Sequence, residues 1–206
     1  MQLNEIQHDA LVELLNIGFG RAGASLSRLT GHRVLLEVPQ VAVHPIDELH
    51  SFLQRVVEDE VASVHQIFSG PVAGDALLML DPVAASALKE LLTSEPALPL
   101  ALDASTREVL TEVGNIVLNA CLGTFGNLLQ LQIGFSVPDI NVATVKSVID
   151  SLASSQDAFR YALVVTAGFR LRGAAVTGYV VIVLSVQSLN RLLLAVDEWE
   201  RRERLM

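Results

Sequence analysis

The sequence predicts an α/β protein of the α+β kind, a largely antiparallel sheet covered by helices, with the order helix–strand–helix–strand–strand–helix running twice through the chain. Three observations predict it. Leu11, Glu13, Asn16 and Ile17 recur as Leu110, Glu112, Asn115 and Ile116, and Val38-Pro39 recurs as Val137-Pro138, all at one offset of 99 residues. Gly74 to Leu80 resembles Gly178 to Leu184 at an offset of 104, which a few inserted loop residues explain. Finally, 206 residues that are 51% hydrophobic and 18% charged can bury a large shared core. A duplication follows, with its joint near Pro96-Ala97-Leu98-Pro99 and halves of about 1–98 and 99–206 making one domain.

Each half is then justified element by element. A long helix opens it, from about Asn4 to Leu29 and again from about Ser105 to Leu129. Asn4 stands three before Gln7, and Ser105 three before Glu108, both capping-box spacings. A strand follows, Arg33 to Val38 and Gln132 to Val137, each ended by a proline that cannot donate to a ladder. A short helix comes next, Ile46 to Val57, with a counterpart at Val145 to Leu152. Two β-rich runs then form a hairpin. These are Val61 to Phe68 with Ala76 to Leu80 around Ser69-Gly70-Pro71, and Tyr161 to Thr166 with Ala174 to Leu184 around Gly168 to Gly173. A closing helix starts after Asp81-Pro82, where proline suits the first turn, and after Ser185.

Charge and hydropathy exclude several classes of function. Fourteen Lys and Arg stand against 23 Asp and Glu, a net charge of −9 with a pI near 4.9. A phosphate backbone needs a basic face to displace its counterions, so nucleic acid is a poor partner. The mean hydropathy of +0.46 raises the question of a membrane. The longest strongly apolar stretch, around Tyr179 to Leu184, falls short of the roughly 20 residues a spanning helix needs. Met1 to Glu5 lacks a basic region leading into an apolar one, so no signal peptide is expected. The single cysteine, Cys121, cannot form an internal disulfide, and a reducing cytoplasm is the expected location.

Chemistry concentrates on the two long helices. Asp9, Glu13, Asn16 and Gly20 fall at i, i+4, i+7 and i+11 on one face, and Glu108, Glu112, Asn115 and Asn119 occupy the equivalent face. Leu11, Leu14, Leu15, Ile17 and Phe19, then Leu110, Val113, Ile116, Val117 and Leu118, flank them. A Glu–Asn pair at i, i+3 has Cβ atoms about 5–6 Å apart and can converge on one ligand. Taken once, such a pair is the wet face of an amphipathic helix. Asparagine is nevertheless a poor helix-interior residue, and the pair recurs in both halves where most neighbours differ. His44 and His50 near Asp47 and Glu48 have no recognised metal spacing and read as solvated loop residues. Cys121 reads as a small buried residue, and the helix glycines 18, 20, 23, 123 and 126 as sites of close packing or a kink. The charged run Asp197 to Arg204 reads as a solvated helix end, with Trp199 as a contact surface.

The pattern Asp/Ser-x3-Glu-x2-Asn-x22-Pro resembles the signature of the CheC/CheX/FliY family of chemotaxis phosphatases. Asp9, Glu13, Asn16 and Pro39 match it, and Glu112, Asn115 and Pro138 match it again, each time with 22 residues before the proline. Glu108 departs from the pattern, which has Asp or Ser there, and has the capping box as its other reading. Two motifs in about 200 residues resemble CheC, since CheX has one and FliY carries an additional C-terminal domain. The resemblance implies a CheC-like duplicated fold with halves related by a pseudo-two-fold, and hydrolysis of the phosphoaspartate on CheY or a related response-regulator receiver. It implies that Asn16 and Asn115 hold a water in line with the phosphorus, and that Glu13 and Glu112 pair with a lysine of the receiver. Mg²⁺ then belongs to the receiver, with no metal or cofactor of this chain's own. The alternative is a regulatory binding module of slight or lost activity, an adaptor for the receptor deamidase CheD or for a receiver protein. An acidic protein approaching a carboxylate-rich receiver is also expected to present a docking face less acidic than its average.

Overall fold

Sheet strands buried on both faces read as unbroken apolar runs, whereas half-buried ones alternate. Ala76 to Leu80 and Tyr179 to Leu184 are runs of the first kind, and the computed structural model places both at the centre of an eight-stranded sheet. The structure describes residues 3–37, 40–57, 60–93, 103–153, 160–171 and 174–205. Its first half comprises α1 (Glu5–Thr30), β1 (Val34–Leu36), β2 (Gln40–Pro45), α2 (Ile46–Leu53), β3 (Glu60–Ser69), β4 (Gly74–Leu80) and α3 (Pro82–Thr93). The second comprises α4 (Ala104–Leu128), β5 (Gly134–Phe135), β6 (Asp139–Thr144), α5 (Val145–Ala153), β7 (Arg160–Leu171), β8 (Ala174–Ser185) and α6 (Val186–Glu203).

The sheet runs β1-β7-β8-β4-β3-β5, with β2 also on β7 and β6 also on β3, and every pair is antiparallel. Helices α1, α3, α4 and α6 cover one face, where Leu78, Leu80, Val180, Ile182 and Leu184 meet Leu14, Phe19, Val117 and Leu192. Helices α2 and α5 cover the other, where Leu77, Met79, Val181 and Val183 meet Leu49, Leu53, Val148 and Ile149. Two-faced burial therefore explains the hydropathy that raised the question of a membrane. By length and composition α4 could itself span one, but half of its most apolar window is buried inside the protein.

The two halves share the sheet by exchange. β1 and β2 pair with β7 of the second half, and β5 and β6 pair with β3 of the first. At the centre Leu77 lies opposite Val181, Gly74 opposite Leu184 and Leu80 opposite Gly178. Residues 104 apart thus trade places across β4 and β8 with the register unchanged, as a pseudo-two-fold requires. The joint near residues 96–99 lies outside the described residues.

Several sequence expectations need correction. β1 and β5 stop at Leu36 and Phe135, short of the prolines, and separate strands β2 and β6 follow beyond them, where Val41 and Val43, and Ile140 and Val142, stand at alternate positions, the period of a strand. Leu36 pairs with Phe169 and Gln40 with Thr166, so four steps on one strand face three on the other. Phe135 and Asp139 against Phe68 and His65 repeat this one-residue bulge in the second half. At Pro138, which has no N–H to donate, the ladder breaks and resumes one residue out of step. Gly168 is also part of β7, opposite Thr177, and not of the hairpin turn. A Cβ on it would come within 2.7 Å of the Glu37 carboxylate.

α1 begins as expected: Asn4 Oδ1 accepts from the Gln7 backbone N–H at 2.8 Å and Gln7 Oε1 accepts from the Asn4 N–H at 3.3 Å. α4 does not. Its N-cap is Asp103, whose carboxylate accepts from both the backbone N–H and the hydroxyl of Thr106 at 2.7 Å. Lys89, its side chain 8% exposed, reaches the same carboxylate at 3.1 Å, and a buried ammonium needs that anion. Ser105 is therefore inside the helix, and Glu108 is released from the capping role.

The hydrogen bonds from Thr106, with help from Lys89, lower the Asp103 pKa from 3.8 to about 2. A depressed carboxylate stabilises the fold above its unfolded pKa near 4 and loses that contribution as pH falls through about 2. An asparagine in its place would cap without titrating, so Asp103→Asn is less stable than the native protein at pH 6. The difference in Tm shrinks on acidification from pH 4 to pH 2. A difference constant over that range refutes this role for Asp103.

Candidate functional site

The long helices turn their leucines inward. Leu11, Leu14, Leu15 and Phe19 of α1, and Leu110, Val113, Val117 and Leu118 of α4, are at most 2% exposed. The two helices meet at Gly18, where a Cβ would stand 3.1 Å from Cys121 Cα and 3.2 Å from the Ala120 carbonyl oxygen. With their apolar sides engaged, Glu13, Asn16 and Glu112 are exposed and Asn115 is half-buried. Each helix thus presents its own Glu–Asn pair. The start of α1 lies toward the end of α4, because the last turns of α6 hold both: Gln7 Nε2 donates to Asp197 at 3.2 Å, and Arg202 donates to the Leu128 carbonyl at 3.2 Å. The two pairs accordingly point toward opposite ends of the helix couple.

Their surroundings differ. Asn119 Nδ2 donates to Asn115 Oδ1 at 2.6 Å, one turn away. The residue equivalent to Asn119 in α1 is Gly20, around which a Cβ would find nothing within 4 Å. Among the described residues Asn16 makes no side-chain hydrogen bond. Asp9 is exposed with His8 Nδ1 3.3 Å away, and Glu108 is exposed at the matching place on α4. Pro138 lies between β5 and β6, in a segment stapled to β3 by Gln66 Nε2 donating to the Ser136 carbonyl at 2.8 Å; Pro39 lies outside the described residues.

A residue that sequence reasoning missed seats the second pair. Gly114, between Glu112 and Asn115, lies so close to β3 that a Cβ would be 2.4 Å from Val64 Cγ1 and 2.5 Å from Val64 Cβ. The signal was present: its counterpart in the repeat is Leu15, so a glycine replaces a core leucine inside the motif. Of the other helix glycines, Gly18 and Gly23 do make close contacts, whereas Gly20 and Gly123 have open space.

Beside the first pair, α1 and α6 form a groove of about 450 Å³ lined by Glu5, Asp9, Glu13, Glu200, Glu203 and Arg204 among others. The one cation named, Arg204, is paired with Glu200. This groove is acidic, because α6 lays its charged end over the carboxylates of α1. That packing also buries Trp199 to 5% exposure in the core, so it is no contact surface.

No family model matches the chain. CheC of Bacillus subtilis (strain 168), described as a CheY-P phosphatase, is 27% identical over 150 residues, 71% of each chain. FliY of Thermotoga maritima superposes with a TM-score of 0.78 over 97% of this chain and 100% of that one, at 18% identity. The chain has the fold of the CheC-type proteins and is similar to CheC in sequence. A CheX of Borrelia burgdorferi, solved with CheY, BeF3 and Mg²⁺, shares the fold at a TM-score of 0.53 over 82% of this chain and 96% of that one, 16% identical.

Other candidates on the chain fall away from chemistry. Cys121 is 1% exposed, and burial pushes its thiol pKa up to about 12, where thiolate is absent at neutral pH. His44 and His50 are not solvated loop residues; they sit in β2 and α2, half-buried. The His44 ring lies 4.3 Å from Phe52, and burial lowers its pKa. Among the described residues no three His, Cys, Asp or Glu side chains cluster as metal ligands would.

Proposed function

We propose that this CheC-type chain hydrolyses the aspartyl phosphate of a CheY-like receiver, with Asn16 and Asn115 each placing the attacking water and Glu13 and Glu112 docking the receiver. One observation carries the reading: two Glu–Asn pairs, each a single helical turn wide, stand at matching positions of two helices packed on each other, with Glu13, Asn16 and Glu112 exposed and Asn115 half-buried. An acyl phosphate is already activated, and its hydrolysis mainly needs a water held in line. The water oxygen bonds to phosphorus as the bond from phosphorus to the aspartate oxygen breaks, releasing inorganic phosphate and a carboxylate. A carboxamide both donates and accepts, so it can hold that water without losing a proton. Mg²⁺ comes with the receiver in this reading, and the chain's own part is placement.

Carboxylates around the first pair support the docking role. A groove of acidic side chains beside Glu13 suits a partner that offers a lysine, because a charge-assisted hydrogen bond to an ammonium is worth about 1.5–3 kcal/mol. Replacing both Glu13 and Glu112 by Gln is therefore expected to raise KM for the phosphorylated receiver about tenfold or more, with a smaller change in kcat.

The decisive measurement is phosphate release from a receiver charged with a small phosphodonor, with and without this protein. Acceleration well above the receiver's own decay supports the reading. A protein that binds the phosphorylated receiver and leaves its decay rate unchanged is a binding module instead, which is the adaptor alternative.

A further inference from the structure

We infer that Asn119 is a positioning residue that holds the Asn115 amide in one orientation, and that Gly20 leaves Asn16 without this support, so the two sites are unequal by construction. The juxtaposition is specific. Asn115 and Asn119 are one turn apart on α4, joined by a hydrogen bond of 2.6 Å. That bond occupies one lone pair of Asn115 Oδ1 and leaves its Nδ2 and second lone pair available to a water. The pseudo-two-fold maps Asn115 onto Asn16 and Asn119 onto Gly20, which has no side chain to offer.

A second observation separates placement from stability. Asn119 Oδ1 is buried and has no hydrogen-bond partner among the described residues. A buried acceptor left unpaired is a cost to the fold, and asparagine is a weak helix former. Packing therefore gives no reason for an asparagine here; the only polar atom of this side chain that is used is the one that reaches Asn115. Around Gly20, by contrast, a Cβ meets nothing within 4 Å, so the missing partner can be supplied without displacing a neighbour.

The inference rests on the reading of Asn16 and Asn115 as water-holding groups, and two measurements on the full chain keep the two apart. The first needs no turnover: ¹⁵N relaxation of the side-chain amides. Asn115 is expected to be more ordered than Asn16 in the native protein. Asn119→Ala should bring Asn115 down to the level of Asn16, and Gly20→Asn should raise the order of Asn16. Equal order for Asn16 and Asn115 in the native protein, or no response of Asn115 to Asn119→Ala, overturns the inference.

The second is receiver dephosphorylation with one site silenced. In an Asn16→Ala background, Asn119→Ala should lower kcat about three- to tenfold with KM unchanged, the range set by ordering one side chain, and without a fall in Tm. In an Asn115→Ala background, Gly20→Asn should raise kcat by a similar factor. A merely structural role for Asn119 predicts a lower Tm and no gain from Gly20→Asn, and that result refutes the lock. If the native protein fails to accelerate dephosphorylation, the functional reading falls, and the amide relaxation still decides whether Asn119 orders Asn115.

Discussion

Asn16→Ala combined with Asn115→Ala is expected to lower receiver dephosphorylation by about 100-fold or more, while binding of the phosphorylated receiver stays within about twofold. Loss of alignment at a reacting centre is worth about that factor, and both helices carry a pair, so only the double variant removes every placed water. Alanine is the better helix former, and Asn16 is exposed, so the fold survives the change. The split between turnover and binding is what discriminates. An amide that places water acts on kcat, whereas an amide that docks the receiver raises KM. Single-turnover phosphate release and titration of a stably phosphorylated-like receiver measure the two separately. A double variant that loses affinity together with turnover contradicts the division of labour between Asn and Glu. Each single variant should retain activity from the other helix, and Asn115→Ala should cost more than Asn16→Ala if the amide held by Asn119 is the better placed.

Gly114→Ala carries the largest expected effect on stability. The added methyl would start 2.4 Å from Val64 Cγ1 and 2.5 Å from its Cβ, in a core where Val64 is 1% exposed. Val64 Cβ is fixed to a central strand and cannot swing away, so α4 itself must move off the sheet. Overpacking of this kind costs about 1–3 kcal/mol, sometimes more, and against a fixed Cβ lies at the upper end, so about 1–2 kcal/mol of loss remains after the gain of about 1 kcal/mol from replacing a helical glycine. Thermal unfolding is expected to show a Tm lower by about 2–8 °C, at roughly 2–4 °C per kcal/mol for a chain of this size. Val64→Ala removes the obstructing methyls, so the double variant should be more stable than the two single losses added together. Additive losses would mean that α4 does not sit against Val64. Because Gly114 lies between Glu112 and Asn115, the displaced helix should also lower turnover at the second site.

How far the sequence could be read depended on whether a feature was local. The α1 cap was legible, because Asn4 and Gln7 are three apart and nothing distant intervenes. The α4 cap was misread, because Lys89, on another helix, adds a charge to the competition that Asp103 wins. Strands β2 and β6 were missed for a related reason. A proline reads as the end of a strand, and only the partner strand shows that pairing resumes past it with one extra residue.

By itself the sequence determined the repeat, the order of most elements and the two Glu–Asn pairs. A helix of period 3.6 must put residues three apart on one face, and apolar runs must be buried somewhere. Tertiary structure alone decided the rest: the exchange of β1–β2 and β5–β6 between halves, the acidic groove closed by α6, and the unequal support of Asn16 and Asn115. Each of these turns on which distant surfaces meet, or on whether one side chain reaches another, and periodicity carries neither distance.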